Sequence, residues 1–262
     1  MNKIDEKFLD LQKKSEKALI TFITAGYPDL ETTKNLILEM QAKGADLIEL
    51  GVPFSDPIAE GEVIQAASFS AIQNGVTLGK IFELLKDIKT LVKVPLLLML
   101  YANSIFAFGQ EKFFKLCQET GVAGVIVPDL PYEEKKEFQT DLDKYGLYAI
   151  SLVAPTSGAR IANIVPDSKG FLYCVSSKGV TGIRENIETD FGEFFKEINK
   201  YAEIPRIIGF GIARPEQVRS LKEHCDGVIV GSAIVKLIQE RQQEAVKEVG
   251  ELVASLKQAL LD

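Results

Sequence analysis

Inside the apolar run ADLIELGV, residues 45–52, Glu49 stands two residues before the glycine at which the run exits. Burying a carboxylate in such a stretch is costly unless its charge is paired or removed. One reading is a structural acid held by a salt bridge or hydrogen bonds at a strand end. The other is a general acid/base whose pKa is raised by desolvation, able to take and give a proton near neutral pH. The loop that follows, Gly51-Val52-Pro53-Phe54-Ser55-Asp56-Pro57, is rich in turn residues and leads to Glu60 and Gly61. Asp56 and Glu60 can cap a helix over 63–74, near whose N-terminus negative charge is favoured. Glu60 can equally reach back over the strand end toward Glu49, and paired carboxylates are a usual way to divide acid and base roles.

A second group of segments suits an anion. Gly209-Phe210-Gly211-Ile212 follows one β-rich run, and Gly231-Ser232-Ala233-Ile234 follows the next and opens a helix. Glycines there, with free N–H groups at a helix start, predict a phosphate site. Gly179-Val180-Thr181-Gly182 supplies further mobile backbone to close over a ligand. His224, the sole histidine, falls near the end of the helical stretch RPEQVRSLKEHC. That placement leaves no Ser-His-Asp or Cys-His device and no His-rich metal site. Acid–base work therefore falls to carboxylates, Tyr or Lys. Cys117, Cys174 and Cys225 are far apart, odd in number and form no C-x-x-C. They read as small buried apolar residues in a reducing compartment.

Such groups need a scaffold that brings them together. Eight short β-rich runs recur: 18–24, 45–52, 94–101, 122–128, 147–153, 170–176, 205–210 and 226–231. Each is nearly continuous in apolar residues, as strands buried on both faces are. Helical stretches separate them, at 29–43, 63–74, 80–92, 110–120, 133–145, 158–165, 190–202, 214–224 and 245–261, after a short first helix at about 3–14. Eight buried strands, each followed by a helix, predict a closed (β/α)8 TIM barrel with an additional N-terminal helix and extra helices after the second and eighth strands. The rival is an open doubly wound sheet, but no G-x-G-x-x-G follows the first run. No linker or short-period repeat interrupts the pattern, so one domain is expected over 1–262. In such a barrel, catalytic groups sit at the C-terminal ends of strands, where Glu49, Gly211 and Gly231 fall.

At 46% hydrophobic and 26% charged, the 262 residues have the composition of an ordinary globular protein. A formal net charge of −7 argues against nucleic acid or an anionic membrane as main partner, since those reward clustered cations. Backbone N–H groups can still bind a small anion without net positive charge. The start, MNKIDEKFLDLQKK, lacks the uninterrupted apolar stretch of a signal peptide. The longest apolar run, Val94 to Tyr101, is too short to span a bilayer. A cytoplasmic protein is expected.

Several segments resemble one known family, the α subunit of tryptophan synthase. They are TFITAGYPD (21–29), ELGVPFSDPIAEG (49–61), GVTLGKIFELL (75–85), YANSIFAFG (101–109), VPDLPYEE (127–134), SKGVTG (177–182), GFGIARPEQV (209–218) and GSAIVK (231–236). The likeness runs nearly end to end, and the second segment is the family's signature. It implies retro-aldol cleavage of indole-3-glycerol phosphate to indole and glyceraldehyde 3-phosphate, with no cofactor or metal in this subunit. By position, Glu49 matches the general acid/base that protonates the indole ring carbon bearing the side chain and helps remove the hydroxyl proton. Position 60 matches an acid that accepts a hydrogen bond from the indole N–H. Phe22, Tyr101, Tyr173, Phe210 and Val230 match positions in or beside the indole pocket, with barrel core as the other reading of Tyr101. Thr181 matches a mobile-loop residue, and Gly182, Gly211, Gly231 and Ser232 match the phosphate grip. The implied partner is a pyridoxal-phosphate-dependent β subunit in an αββα heterotetramer, faced by Pro53, Asp56, Asn103 and Pro131.

Two positions depart from the family's pattern. Residue 60 is Glu60 where aspartate is usual, and residue 62 is Glu62 where proline is usual. One extra methylene displaces a carboxylate by about 1 Å, which can cost on the order of 10²-fold in rate. This motivates an alternative reading, a catalytically weak subunit that mainly activates its β partner. A stand-alone indole-releasing enzyme and a sugar-phosphate epimerase are further readings; metal-dependent epimerases use histidines that this chain lacks.

Overall fold

The computed structural model describes residues 1–175, 191–201, 203–209 and 211–262. The apolar runs form nine strands: β1 (Ala18–Thr24), β2 (Leu47–Gly51), β3 (Leu96–Met99), β4 (Val122–Ile126), β5 (Tyr148–Ala149), β6 (Ser151–Val153), β7 (Leu172–Val175), β8 (Arg206–Gly209) and β9 (Gly227–Val230). They lie in the order β5-β4-β3-β2-β1-β9-β8-β7-β6, and every paired neighbour is parallel. The expected fifth run, 147–153, is thus two short strands divided at Ile150. Those strands are the two ends of the sheet, so the chain itself joins the edges and the barrel is nearly closed. The division is a change of neighbour: Ala149 pairs with β4 and Ser151 with β7, while Ile150 N–H still donates to the Val125 carbonyl at 2.9 Å.

Alternate residues of each strand face opposite sides. Ile20, Phe22, Leu47, Leu97, Met99, Tyr173, Ile207 and Ile229 pack together inside the barrel. Leu19, Ile23, Ile48, Leu50, Leu98, Val228 and Val230 pack outward against the helices. Two fully buried layers explain why the runs are continuous rather than alternating in hydropathy.

Local signals set most helix limits. Asp29 and Thr77 cap Leu30–Ala42 and Leu78–Ile88, accepting hydrogen bonds from Thr32 N–H and Lys80 N–H. Gly121 and Gly146 end Gln110–Thr120 and Lys136–Tyr145 with φ of +83° and +67°, the left-handed conformation that glycine tolerates. An N-terminal helix is present at Lys3–Lys13. Two helices follow β2 (Glu62–Gln73 and Leu78–Ile88) and two follow β9 (Ser232–Arg241 and Ala245–Leu261). A helix after β3, Ala102–Phe108, was not expected. Its first N–H is capped by the side chain of Asp129, at 3.0 Å, so the start signal lies 27 residues away. The expected helices at 158–165, 190–202 and 214–224 are shorter, at Ile161–Ile164, Phe191–Asn199 and Pro215–Leu221, the first and last flanked by 3-10 turns.

The last helix, Ala245–Leu261, packs on Leu30–Ala42 and Ser232–Arg241. Lys257 anchors it, lying 2.9 Å from the buried Asp46 and 3.3 Å from Glu16. Asp46 in turn accepts from Leu19 N–H at 2.8 Å, so this ion pair ties the helix to β1. The three cysteines are buried and free. Among the described residues no helix is long and apolar enough to cross a membrane.

Candidate active site

β2 places Glu49 between Phe22 of β1 and Leu97 of β3, on the same inward face as Leu47. The residue is fully buried, and neither carboxylate oxygen has a hydrogen-bond partner among the described residues. The salt-bridged reading of Glu49 therefore finds no counter-charge there. Burial disfavours the charged form and pushes its pKa up to about 8. A carboxyl in that range can exchange a proton near neutral pH, which an ordinary glutamate cannot do efficiently.

A narrow cleft lies at this end of the barrel, lined by Phe22, Glu60, Ile64, Met99, Tyr173, Gly211, Ile212, Ile229, Gly231 and Ser232. Its walls come from the C-terminal ends of β1, β3, β7 and β9 and from the loops after β2, β8 and β9. Ile64, from helix Glu62–Gln73, packs with the barrel's inner residues and covers part of the mouth. Two glycines permit the large rings. A Cβ on Gly209 would lie 2.3 Å from the Tyr173 ring, and one on Gly51 would lie 2.4 Å from that of Phe22. Close ring-to-backbone approach, rather than turn geometry, is the requirement at both.

Glu60 reaches the cleft from the loop after β2 and is almost fully buried. Its Oε2 accepts a short hydrogen bond from the Tyr101 hydroxyl. That hydroxyl accepts in turn from Ile58 N–H at 2.8 Å and Ala59 N–H at 3.0 Å, while the Tyr101 ring stacks on Phe54 at 4.6 Å. Burial raises the Glu60 pKa; the Tyr101 bond and the backbone N–H groups of Glu60 and Ala59 oppose that rise. Tyr173 connects the two acids electrostatically. Its phenol is held well above the usual range by burial, then by the charges of Glu49 and Glu60.

On the opposite wall, Gly211 adopts φ +82°, and Gly231 precedes a helix start that no side chain caps. Gly211, Gly231 and Ser232 are brought together in the cleft wall as their spacing suggested. Val230 is not among the lining residues: it faces outward with the helices, and its neighbour Ile229 occupies the wall, since consecutive strand residues point to opposite faces. Phe210, Thr181 and Gly182 lie outside the described residues. Sequence reasoning missed Ile64, Met99, Ile212 and Ile229 as lining residues, although counting alternate residues from Leu97 or back from Gly231 would have found Met99 and Ile229. The pairing of Tyr101 with Glu60 had no sequence signal. His224 sits in a 3-10 turn, Lys222–His224, preceding β9, at the strand's N-terminal side and away from the cleft.

The residues expected to face a partner leave the barrel from neighbouring strands. Pro53 and Asp56 follow β2, Asn103 follows β3 and Pro131 follows β4, so all four stand at the C-terminal end of three adjacent strands. Asp56, Asn103 and Pro131 are exposed and Pro53 is half-buried. Two large apolar side chains on the same connections are also exposed, Ile58 in the loop after β2 and Phe106 in the helix after β3. Among the described residues no group of three or more His, Cys, Asp or Glu side chains is placed to hold a metal ion.

Residues 8–260 match the family described as "Tryptophan synthase alpha chain". A protein of that name from Thermoanaerobacter sp. (strain X514) is 48% identical over 262 residues, 99% of this chain and all of the relative. Another, from Clostridium kluyveri, is 44% identical over the same extent. A solved tryptophan synthase alpha chain from Legionella pneumophila is 33% identical, superimposes with a TM-score of 0.90, and shares 99% of this chain and 97% of its own.

Proposed function

The chain belongs to the tryptophan synthase alpha chain family, and on that premise we propose the residue roles in a lyase that cleaves indole-3-glycerol phosphate to indole and glyceraldehyde 3-phosphate. Family membership favours this reading over that of an activating subunit with little chemistry. The observation that carries the catalytic assignment is a buried, unpartnered Glu49 with its pKa pushed up to about 8, beside a cleft walled by rings on one side and glycine backbone on the other.

The substrate's indole lies against Phe22 and Tyr173, with Phe210 contributing to that end and Val230 outside it, packed on the helices. Its phosphate lies on the backbone of Gly211, Gly231 and Ser232, with Gly182 and Thr181 closing over it. Glu49 enters the reaction protonated and delivers its proton to the ring carbon bearing the glycerol chain. The carboxylate so formed takes the proton from the adjacent hydroxyl while the C–C bond breaks, which leaves indole and an aldehyde and returns Glu49 to its protonated form. Glu60 stays ionised, accepts the indole N–H and stabilises the positive charge that builds on the ring nitrogen. The glutamate in place of the usual aspartate keeps the charge, and burial beside the cleft positions it despite the extra methylene.

The chemistry requires no cofactor in this subunit. The α chain pairs with a pyridoxal-phosphate-dependent β subunit, as αββα, to which indole passes for tryptophan synthesis. Pro53, Asp56, Asn103 and Pro131 face that partner, and the exposed Ile58 and Phe106 on the same connections support an interface there. We assign residues 1–262 to one domain and the protein to the cytoplasm.

The test is indole release from indole-3-glycerol phosphate by the wild type and Glu49→Gln. We expect turnover by the wild type and a loss of about 10³-fold in the variant, within the range for a removed general acid/base. A Glu49→Gln protein as fast as the wild type would remove Glu49 from the mechanism.

A further inference from the structure

We infer that Tyr101 is a positioning residue for this reaction, whose hydroxyl fixes which oxygen of Glu60 addresses the cleft and locks that carboxylate to the backbone of residues 58 and 59. The inference rests on the role given to Glu60 above. A phenol hydroxyl has one proton to donate and two lone pairs to accept with. In Tyr101 all are committed: the proton to Glu60 Oε2, the lone pairs to Ile58 N–H and Ala59 N–H. No rotation of the hydroxyl improves one bond without losing another. Glu60 Oε1 is left as the oxygen not engaged by Tyr101, on a residue that lines the cleft. The ring cannot drift, because Tyr101 is buried just past β3, directly before the helix Ala102–Phe108, and stacked on Phe54, 4.6 Å away.

This arrangement fits a glutamate in particular. A longer side chain has one more rotatable bond than aspartate, and freedom at that bond would scatter the carboxylate. Tethering one oxygen removes that freedom and leaves the other for the indole N–H. The bond also favours the ionised acid, the form that can accept, against burial, which favours the neutral one. Among the described residues the other titratable groups acting on this pair are Asp129, which raises the Glu60 pKa, and Tyr173, which feels both Glu60 and Glu49.

The experiment is the pH dependence of kcat/KM for indole release in wild type, Tyr101→Phe, Glu60→Gln and the double variant. Tyr101→Phe keeps the stacked ring and loses only the hydroxyl. We expect it to lower the rate about 10-fold to 100-fold and to move the acid limb upward by about one pH unit, the size of a lost hydrogen bond to an ionised group. The alkaline limb, set by Glu49, stays in place. In the double variant the loss matches that of Glu60→Gln alone, because Tyr101 acts through Glu60. Replacing Tyr101 with 3,5-difluorotyrosine, a stronger donor, moves the acid limb downward. An unmoved acid limb in both Tyr101 variants, or losses that multiply in the double variant, overturns the inference while leaving Glu60 in its role. A Glu60→Gln protein with wild-type rate and profile overturns both.

Discussion

A carboxyl that folding moves from 4.5 to about 8 links stability to pH as well as rate. Between those values the folded chain holds a proton at Glu49 that the unfolded chain has released. Stability contributed by that proton is therefore complete below about 4.5 and drains away as pH rises to about 8. Glu49→Gln has no such dependence. Its stability relative to the wild type should rise by roughly 1 kcal/mol per pH unit across that window and level off above it. Paired melting curves in a pH series measure this; two curves that run parallel would mean that Glu49 is not neutral in the fold. The same residue shows what sequence reveals at this scale. An acid in an apolar run is visible because its cost is local, and so are glycines at strand ends. The bond from Tyr101 to Glu60 spans 41 residues and depends on where two loops meet, which no spacing encodes.

Strands and helices extend the point. The eight apolar runs and most intervening helices were legible because two-sided burial and helix caps leave marks within a few residues. Ala102–Phe108 was not, since its cap is Asp129 from a different loop, and neither was the division at Ile150, which comes from closing the sheet. Glycine at strand ends was read as backbone for an anion, yet at Gly209 its use is steric. A Cβ there would lie 2.3 Å from Tyr173 Cε1 and 2.7 Å from its hydroxyl oxygen, and the ring is buried on every side. Gly209→Ala must displace Tyr173 into the cleft or strain β8 against β7. We expect a stability loss of about 1–3 kcal/mol, the usual cost of overpacking a core, and a fall in indole release of about 10²-fold from the displaced ring. Urea unfolding and the indole assay test the two parts separately. Wild-type values in both would show that the barrel absorbs the methyl elsewhere.

At the scale of the whole molecule, the cleft and the proposed partner surface share a loop. Residues 53–60 run from Pro53, beside the exposed Asp56, to Glu60 in the cleft wall, with Tyr101 holding the last turn by its backbone. Any partner that seats on Asp56 therefore pulls on the segment that ends at Glu60. Asp56 is exposed and accepts a hydrogen bond of 2.5 Å from its neighbour Ser55, so it is well placed to report contact. A β subunit from a close relative should form a 1:1 complex with this chain and speed indole release at least about tenfold, equivalent to ~1.4 kcal/mol off the activation barrier. In Asp56→Ala the ratio of partnered to isolated rate should fall toward one. Light scattering establishes the complex, and the assay with and without the β subunit gives the ratio. A complex that forms with no acceleration would show that docking and chemistry are uncoupled in this chain, and an unchanged ratio in Asp56→Ala would place the coupling on the loops after β3 and β4 instead.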